Sequence, residues 1–424
     1  MKVELAYGEC GLLVDLPADR TTVVQPRPLD AVADERGAVL EALRRPTAGP
    51  PLLKRVQPGQ RVAISICDGT RPQPRHIVVP AVLDELEGVI DAGDIVVLVA
   101  TGTHRGNTAA ELEAMLGHDV LDRVQVVNHD ARDDTSLRWV GQMAVDVPVW
   151  LNRRWVEADV RVTTGFVEPH FFAGFSGGPK MVAPGLAGLD TVLALHNADR
   201  ISDERATWGV TVGNPVHDAV REIAASTGVD FAVDVLLNRH QRIVEVFAGD
   251  LLDEHSAACA AARRVAMAPV PSAFDVVVTT NAGFPLDQNL YQCVKGMAAG
   301  SSVVRPGGLL VCVAECRDGF PDHGSYREVL SSEPSPDALL QAINARPATV
   351  PDQWQVQVQA SVQSRARVVV HTSGLTATEL AEAHLGHTAD VGATVRDELN
   401  RLGSGATLCA LPEGPLTIPY VEAT

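Results

Sequence analysis

The segment RVAISICDGTRP, residues 61–72, sets the reading of the fold: an apolar run, Arg61–Ile66, breaks into a polar turn, Cys67-Asp68-Gly69-Thr70-Arg71-Pro72. A short apolar run that ends in turn residues reads as a strand buried on both faces, the habit of parallel sheets covered by helices. The same pattern recurs at Ile95–Ala100, Val124–Val127, Val160–Thr164, Asp275–Thr279 and Gly308–Ala314, and helical periodicity follows at His76–Ile90, Ala109–Leu116 and Val216–Thr227. Strands alternating with helices predict an α/β protein with mostly parallel sheets.

A chain of 424 residues exceeds the ~250–300 at which single cores stop growing, so two α/β domains are expected. The segment Cys259–Pro271, rich in alanine and then broken by prolines, is the expected boundary. It gives an N-terminal catalytic domain at 1–262 and a C-terminal domain at 263–410, with the active site in the cleft between them. The proline-rich tail 411–424 is expected to rejoin the first domain.

The net charge of −18 argues against nucleic acid or an anionic membrane as partner, since both demand a basic surface. It leaves room for a small anion in a local positive pocket. No apolar run approaches the ~20 residues of a membrane span, and the start Met1-Lys2-Val3-Glu4-Leu5 does not resemble a secretory leader. The seven cysteines are scattered without a CxxC pair, which predicts small core residues in a reducing cytoplasm.

In parallel sheets ligands gather beyond the carboxyl ends of the strands. Those positions carry Asp68-Gly69-Thr70-Arg71, Thr101-Gly102-Thr103-His104-Arg105, Asn128-His129-Asp130, and a long block from Gly165 through His170 and Phe172 to Gly177-Gly178-Pro179-Lys180. Arg71 in a glycine turn can pair with a surface acid or cradle a carboxylate or phosphate bidentately. His104 and His170, each after a strand, are either hydrogen-bonded bystanders or a pair of acid–base groups titrating near neutrality. His196 follows on a helix, where a histidine is more often a surface residue than a metal ligand. Farther on, Tyr291-Gln292-Cys293-Val294-Lys295-Gly296 groups a phenol, an amide and a lysine, and Trp354 is core or cofactor wall.

Lysine is scarce. Only Lys2, Lys54, Lys180 and Lys295 occur, and arginine supplies the remaining positive charge. A lysine kept in such a chain suggests work that arginine does poorly, namely acylation or imine formation by the amine. Lys180 lies in GFSGGPKMVAPGLAG, residues 174–188, whose glycines let the backbone approach a ligand. This is not a Walker A loop, because Pro179 precedes the lysine and Met181 follows it. The plain alternative is a glycine turn with Lys180 reaching solvent.

Taken in order, DGTRP at 68–72, ATGTHR at 100–105, EPHFFAGFSGGPKMVAPG at 168–185, NP at 214–215 and YQCVKG at 291–296 resemble the nickel-pincer-nucleotide-dependent lactate racemase family. The resemblance covers essentially the whole chain, and its most specific block is 168–185. It implies a pyridinium mononucleotide whose sulfur-bearing arm is joined to Lys180 as a thioamide, with His196 as nickel ligand. It implies that His104 and His170 form the acid–base pair of a 2-hydroxy acid racemase or epimerase, acting as hydride leaves C2 and returns through a 2-oxo acid. Arg71, Tyr291, Gln292 and Lys295 would bind substrate. Asp68, Thr70, Arg71, Gly177, Gly178, Phe172 and Trp354 would line the cofactor site. Cofactor-synthesis enzymes would be needed in trans, and a homodimer is one option for assembly. Two other readings stay open at this point: a pyridoxal-type Schiff-base enzyme using Lys180, and a cofactor-binding paralogue without catalysis.

Overall fold

The structure is a computed structural model describing residues 1–321 and 324–422. By its internal contacts the chain forms two compact units. One comprises Pro28–His196 and Asp203–Arg264; the other comprises Met1–Arg27, Asn197–Ser202 and Val265–Thr424, of which residues 423 and 424 lie outside the described set.

The first unit is built on a six-stranded sheet. Its strands are β1 (Val62–Cys67), β2 (Ile95–Ala100), β3 (Gln125–Asn128), β4 (Val160–Phe166), β5 (Phe231–Leu237) and β6 (Ile243–Gly249), in the spatial order β6-β5-β4-β1-β2-β3. All neighbours run parallel except the edge strand β6, which returns antiparallel on β5. Alternation along β1 feeds two cores. Val62, Ile64 and Ile66 pack with Val78, Val79 and Val82 of helix α1 (Arg75–Leu86), while Ala63 faces the opposite layer with Trp155, Val220 and Ile223. Burial on both faces explains why β1 carries no polar alternation. The other helices needed below are α2 (Ala109–Leu116), α3 (Leu189–Leu195), α4 (Pro215–Thr227) and α5 (Leu251–Ala266).

The second unit carries another six-stranded sheet, wholly parallel. It contains β7 (Phe274–Thr280), β8 (Val304–Val313), β9 (Arg367–His371), β10 (Gly386–His387) and β11 (Leu408–Leu411), ordered β10-β9-β8-β7-β11 and closed by the short strand Thr21–Val23. Helices α6 (Leu290–Ser301) and α7 (Gln353–Arg365) cover one face, their Met297, Val294, Val356 and Ala360 packing on Val277, Leu310 and Val370.

The structure divides the chain differently from the sequence reading at both ends. Residues 1–27 belong with the C-terminal unit, because Thr21–Val23 pairs with Leu408–Ala410 and the Ala6 N–H donates to the Pro412 carbonyl. The tail stays in that unit too, since Ile418–Val421 pairs parallel with Met267–Val270. The division falls after Arg264, inside the expected segment, but α5 runs continuously through it. Edge pairings of this kind depend on register with distant strands, which local sequence does not encode. Among the cysteines, Cys10 is exposed and the others are buried, all as free thiols. No described helix is long and apolar enough to cross a membrane.

Candidate active site

Two groups of side chains meet at the carboxyl edge of the first sheet. The first is built on the turns after β1 and β2. Asp68, buried, accepts from His104 Nδ1 at 2.7 Å through Oδ2, and from Thr70 Oγ1 at 2.7 Å and Thr70 N at 3.3 Å through Oδ1. Burial alone would raise the Asp68 pKa. The hydrogen bond and charge of His104, with Arg71 and Thr70 behind them, prevail and hold it at about 2. An ionised carboxylate can only accept, so His104 carries its proton on Nδ1 and turns the Nε2 lone pair outward in the neutral ring. The His104 side chain is 40% exposed, open to a small molecule.

The loop itself is held by Arg75, whose buried Nη1 donates to the carbonyls of Asp68 and Arg71, each at 3.0 Å. Arg75 thus faces the backbone of the loop. Arg105 is likewise engaged, forking onto Glu111 at 2.6 and 2.8 Å. Asn107 is pinned by reciprocal bonds of 2.9 Å with Asn128.

The second group comes from the 165–188 block. Phe172 is its centre. Its ring stands edge-on to His170 at 4.5 Å, edge-on to His196 at 5.3 Å, and 6.0 Å from Lys180 Nζ. His170 differs from His104 in its support, for its Nδ1 accepts from Ala173 N at 3.2 Å and Phe172 N at 3.5 Å. Its neutral ring therefore carries the proton on Nε2. His196 is not on a helix face as expected but caps the carboxyl end of α3, where Nδ1 donates to Val192 O at 2.7 Å. Burial pushes its pKa down to about 4, assisted by nearby Lys180 and opposed by that hydrogen bond. The result is a neutral imidazole with its lone pair on Nε2, the form that binds a metal.

Lys180 sits in a turn, Gly178–Met181, seated on the strand ends: Ser65 Oγ donates to Met181 O at 2.8 Å. The backbone N–H of Gly102 reaches Gly185 O at 2.9 Å, joining the His104 loop to the same block. Gly177 and Gly178 have φ of 78° and 47°, a region that favours glycine. A Cβ at Gly178 would stand 2.5 Å from His255 Cγ, and one at Gly177 2.8 Å from Val167 Cγ2. The sequence reading gave the space left by these glycines to a ligand; the structure fills it with the protein's own core.

Four residues hold this block from behind: Asn214 of the NP motif, and His217, His255 and Asp234, which local sequence did not single out. Asn214 caps α4 by accepting from Val216 N and His217 N, and its Nδ2 donates to Phe172 O at 3.0 Å. His217 Nδ1 donates to Ala173 O at 3.1 Å, His255 Nε2 to Ser176 O at 2.9 Å, and Asp234 accepts from Gly178 N at 2.7 Å. An aspartate inside the apolar run Phe231–Leu237 was the available signal, since a charge in a buried strand demands a partner.

Tyr291, Gln292, Lys295 and Trp354 lie in the second unit. The first three occupy the opening turns of α6, which Asn289 caps through the Gln292 N–H. Trp354 is buried near the start of α7, and its neighbour Gln355 ties the helices by donating to Tyr291 O at 2.5 Å.

Known proteins resemble the chain over nearly its whole length. The family profile described as the lactate racemase N-terminal domain matches residues 7–209, and that of the lactate racemase C-terminal domain matches residues 270–418. A lactate racemase of Thermoanaerobacterium thermosaccharolyticum is 32% identical over 416 residues, covering 97% of this chain and 97% of the relative. One from Lactiplantibacillus plantarum is 31% identical, covering 95% and 98%. The solved lactate racemase apoprotein of T. thermosaccharolyticum superposes with a TM-score of 0.93 at 31% identity, over 99% of this chain and 100% of its own. A Thermotoga maritima protein shares the fold at a TM-score of 0.69 and 18% identity, covering 93% and 100%. Matches spanning both units at this identity place the chain in the lactate racemase family.

Proposed function

We propose that this chain inverts the configuration at C2 of a 2-hydroxy acid of the lactate class, with a nickel-pincer nucleotide joined to Lys180 as its cofactor. The observation that carries this reading is the convergence of His170, Lys180 and His196 on the Phe172 ring. It is supported by two relatives named lactate racemase.

The residues fit the group. Among the described residues no three His, Cys, Asp or Glu side chains cluster to hold a metal, so a metal here needs donors brought by the ligand. Sulfur and carbon donors with one neutral imidazole suit square-planar nickel, and His196 offers that imidazole. Lys180 supplies an amine for a thioamide where arginine could not. When bound, the group supplies an acceptor for the hydrogen at C2 together with its electron pair.

The chain's own residues manage the proton and the carboxylate. His104 Nε2 takes the hydroxyl proton, and Asp68 both orients the ring through Nδ1 and stabilises the imidazolium that forms. His170 is its counterpart for the opposite face and presents an Nε2–H to the oxygen at C2. Arg71 binds the substrate carboxylate. Thr70 steadies Asp68, and Phe172 forms an apolar wall that limits water.

The test is a panel of single-enantiomer 2-hydroxy acids given to chain co-expressed with the cofactor-synthesis enzymes and followed by chiral chromatography. The reading expects inversion of lactate or a close analogue, abolished by Lys180→Arg. Loaded chain that inverts none of them contradicts it. A borohydride-trapped aldehyde at Lys180 would instead favour an imine enzyme.

A further inference from the structure

Behind the Lys180 turn lies a polar layer that proton transfer at the substrate does not use. Asp234 on β5 and Glu254 on α5 are both essentially excluded from solvent, at 1% and 0% exposure. Their carboxyl groups face one another, yet neither Glu254 oxygen finds a well-formed hydrogen bond among the described residues. Two bare carboxylates cannot share such a place, because burial and mutual repulsion both favour taking up a proton.

Asp234 is also the floor of the glycine turn. Its Oδ2 accepts from Gly178 N, and a Cβ at Gly165 would stand 2.4 Å from its Oδ1, one at Gly177 2.9 Å from its Oδ2. Two glycines thus make room for one carboxylate, and the N–H it accepts belongs to Gly178, two residues from Lys180 along the chain. His255 completes the seat through Ser176 O.

We propose that Asp234 and Glu254 hold a proton between them and that this pair is the positioning device of the Lys180 turn. With the proton in place Asp234 accepts from Gly178 and the turn stays seated; when it leaves, two adjacent buried charges push the turn outward. The functional meaning rests on Lys180 as the attachment point, while the positioning itself belongs to the chain without cofactor.

Burial pushes Asp234 up to about 7, against the pull of the Gly178 N–H, and it pushes Glu254 well above the ordinary carboxyl range, with Asp234's charge adding to the rise. Cys67 of β1 and Cys259 of α5 feel the charge of the pair; around them Arg221 of α4 and Arg263 of α5 act on Cys259, and His217, Arg221 and Lys180 act on His255. Burial lowers His217 to about 4 and His255 to about 3, and it raises Cys67 to about 12 and Cys259 further still. Between pH 6 and 8 these four stay neutral, and the carboxyl pair is left to change.

The sign follows from linkage. A seated turn binds a proton that the opened, hydrated pair releases, so protection from hydrogen exchange falls as pH rises, by up to about tenfold per unit for one proton. The experiment is hydrogen exchange on full-length, cofactor-free chain from pH 6 to 8, as protection factors for residues 174–182, with β2 as internal control. Wild type is expected to show that fall. Glu254→Gln, which cannot titrate, is expected to flatten it to under about twofold, and Asp234→Asn to lower protection roughly tenfold at pH 6. A flat wild-type profile overturns the proposal, as does an unchanged slope in Glu254→Gln or unchanged protection in Asp234→Asn; if either variant fails to fold, the wild-type slope decides. Because no cofactor is present, this outcome is independent of whether Lys180 proves to be the attachment point.

Discussion

At the end of β2 a histidine is held by a carboxylate, and just past the end of β4 another is held by backbone N–H groups. His104 donates from Nδ1 to Asp68, whereas His170 accepts at Nδ1 from Ala173 and Phe172. In their neutral forms the first offers a lone pair at Nε2 and the second a proton there. Residue type alone makes them equivalent; their neighbours do not. The carboxylate at His104 steadies an imidazolium, while N–H groups aimed at His170 Nδ1 disfavour one in that ring orientation. On the function proposed above, this inequality assigns proton acceptance to His104 and proton donation to His170.

Asp68→Asn should break the comparison most severely. An amide nitrogen turned toward Nδ1 would force the His104 proton onto Nε2 and remove the counter-charge, costing about 10²–10⁴-fold in turnover of loaded enzyme. Loss under threefold would remove His104 from the acceptor role. A second prediction concerns acid, where the layer behind His170 is vulnerable. His217 and His255 are held neutral by burial, at about 4 and 3 against an ordinary 6.5. Depressed folded pKa values contribute stability that is complete above pH 6.5 and lost as pH falls through about 4 to 3. The Tm of the apo chain should drop by about 5–10 °C from pH 6.5 to 4.5, as calorimetry would show; a constant Tm would refute the burial argument.

Smaller effects sharpen the contrast. Asn214→Ala removes both the cap of α4 and the hold on Phe172 O, so about 1–2 kcal/mol of stability should go, measured by urea unfolding. It should leave the Asp68–His104 contact intact, visible as an unchanged His104 ring 15N shift. Thr70→Ala deletes one donor to Asp68, worth about 1 kcal/mol, and should lower turnover only a few-fold. A hundredfold loss would mean that Thr70 touches substrate.

Much of the scaffold was legible in the sequence because its signals are local. Strand Ile95–Ala100 and helix Ala109–Leu116 have the limits their patterns predict, the helix fixed by a Thr108–Glu111 capping box. The helix expected to reach Ile90 stops at Leu86, where Glu87 turns extended and Gly88 takes a φ of 81°. The clustering of titratable residues after β1, β2 and β4 was legible by the carboxyl-edge rule. What local sequence could not supply was partnership across distance. Asp234, Glu254, His217 and His255 reach the glycine turn only because β5 lies beside β4 and α4 and α5 pack beneath it.

Peptide mapping of chain purified with and without the cofactor-synthesis enzymes decides whether Lys180 is the attachment point. The peptide containing Lys180 is expected to carry an adduct of nucleotide mass only in the first preparation, with nickel co-purifying, and Lys180→Arg is expected to abolish both. An unmodified Lys180 in chain that nonetheless inverts a 2-hydroxy acid would overturn that assignment.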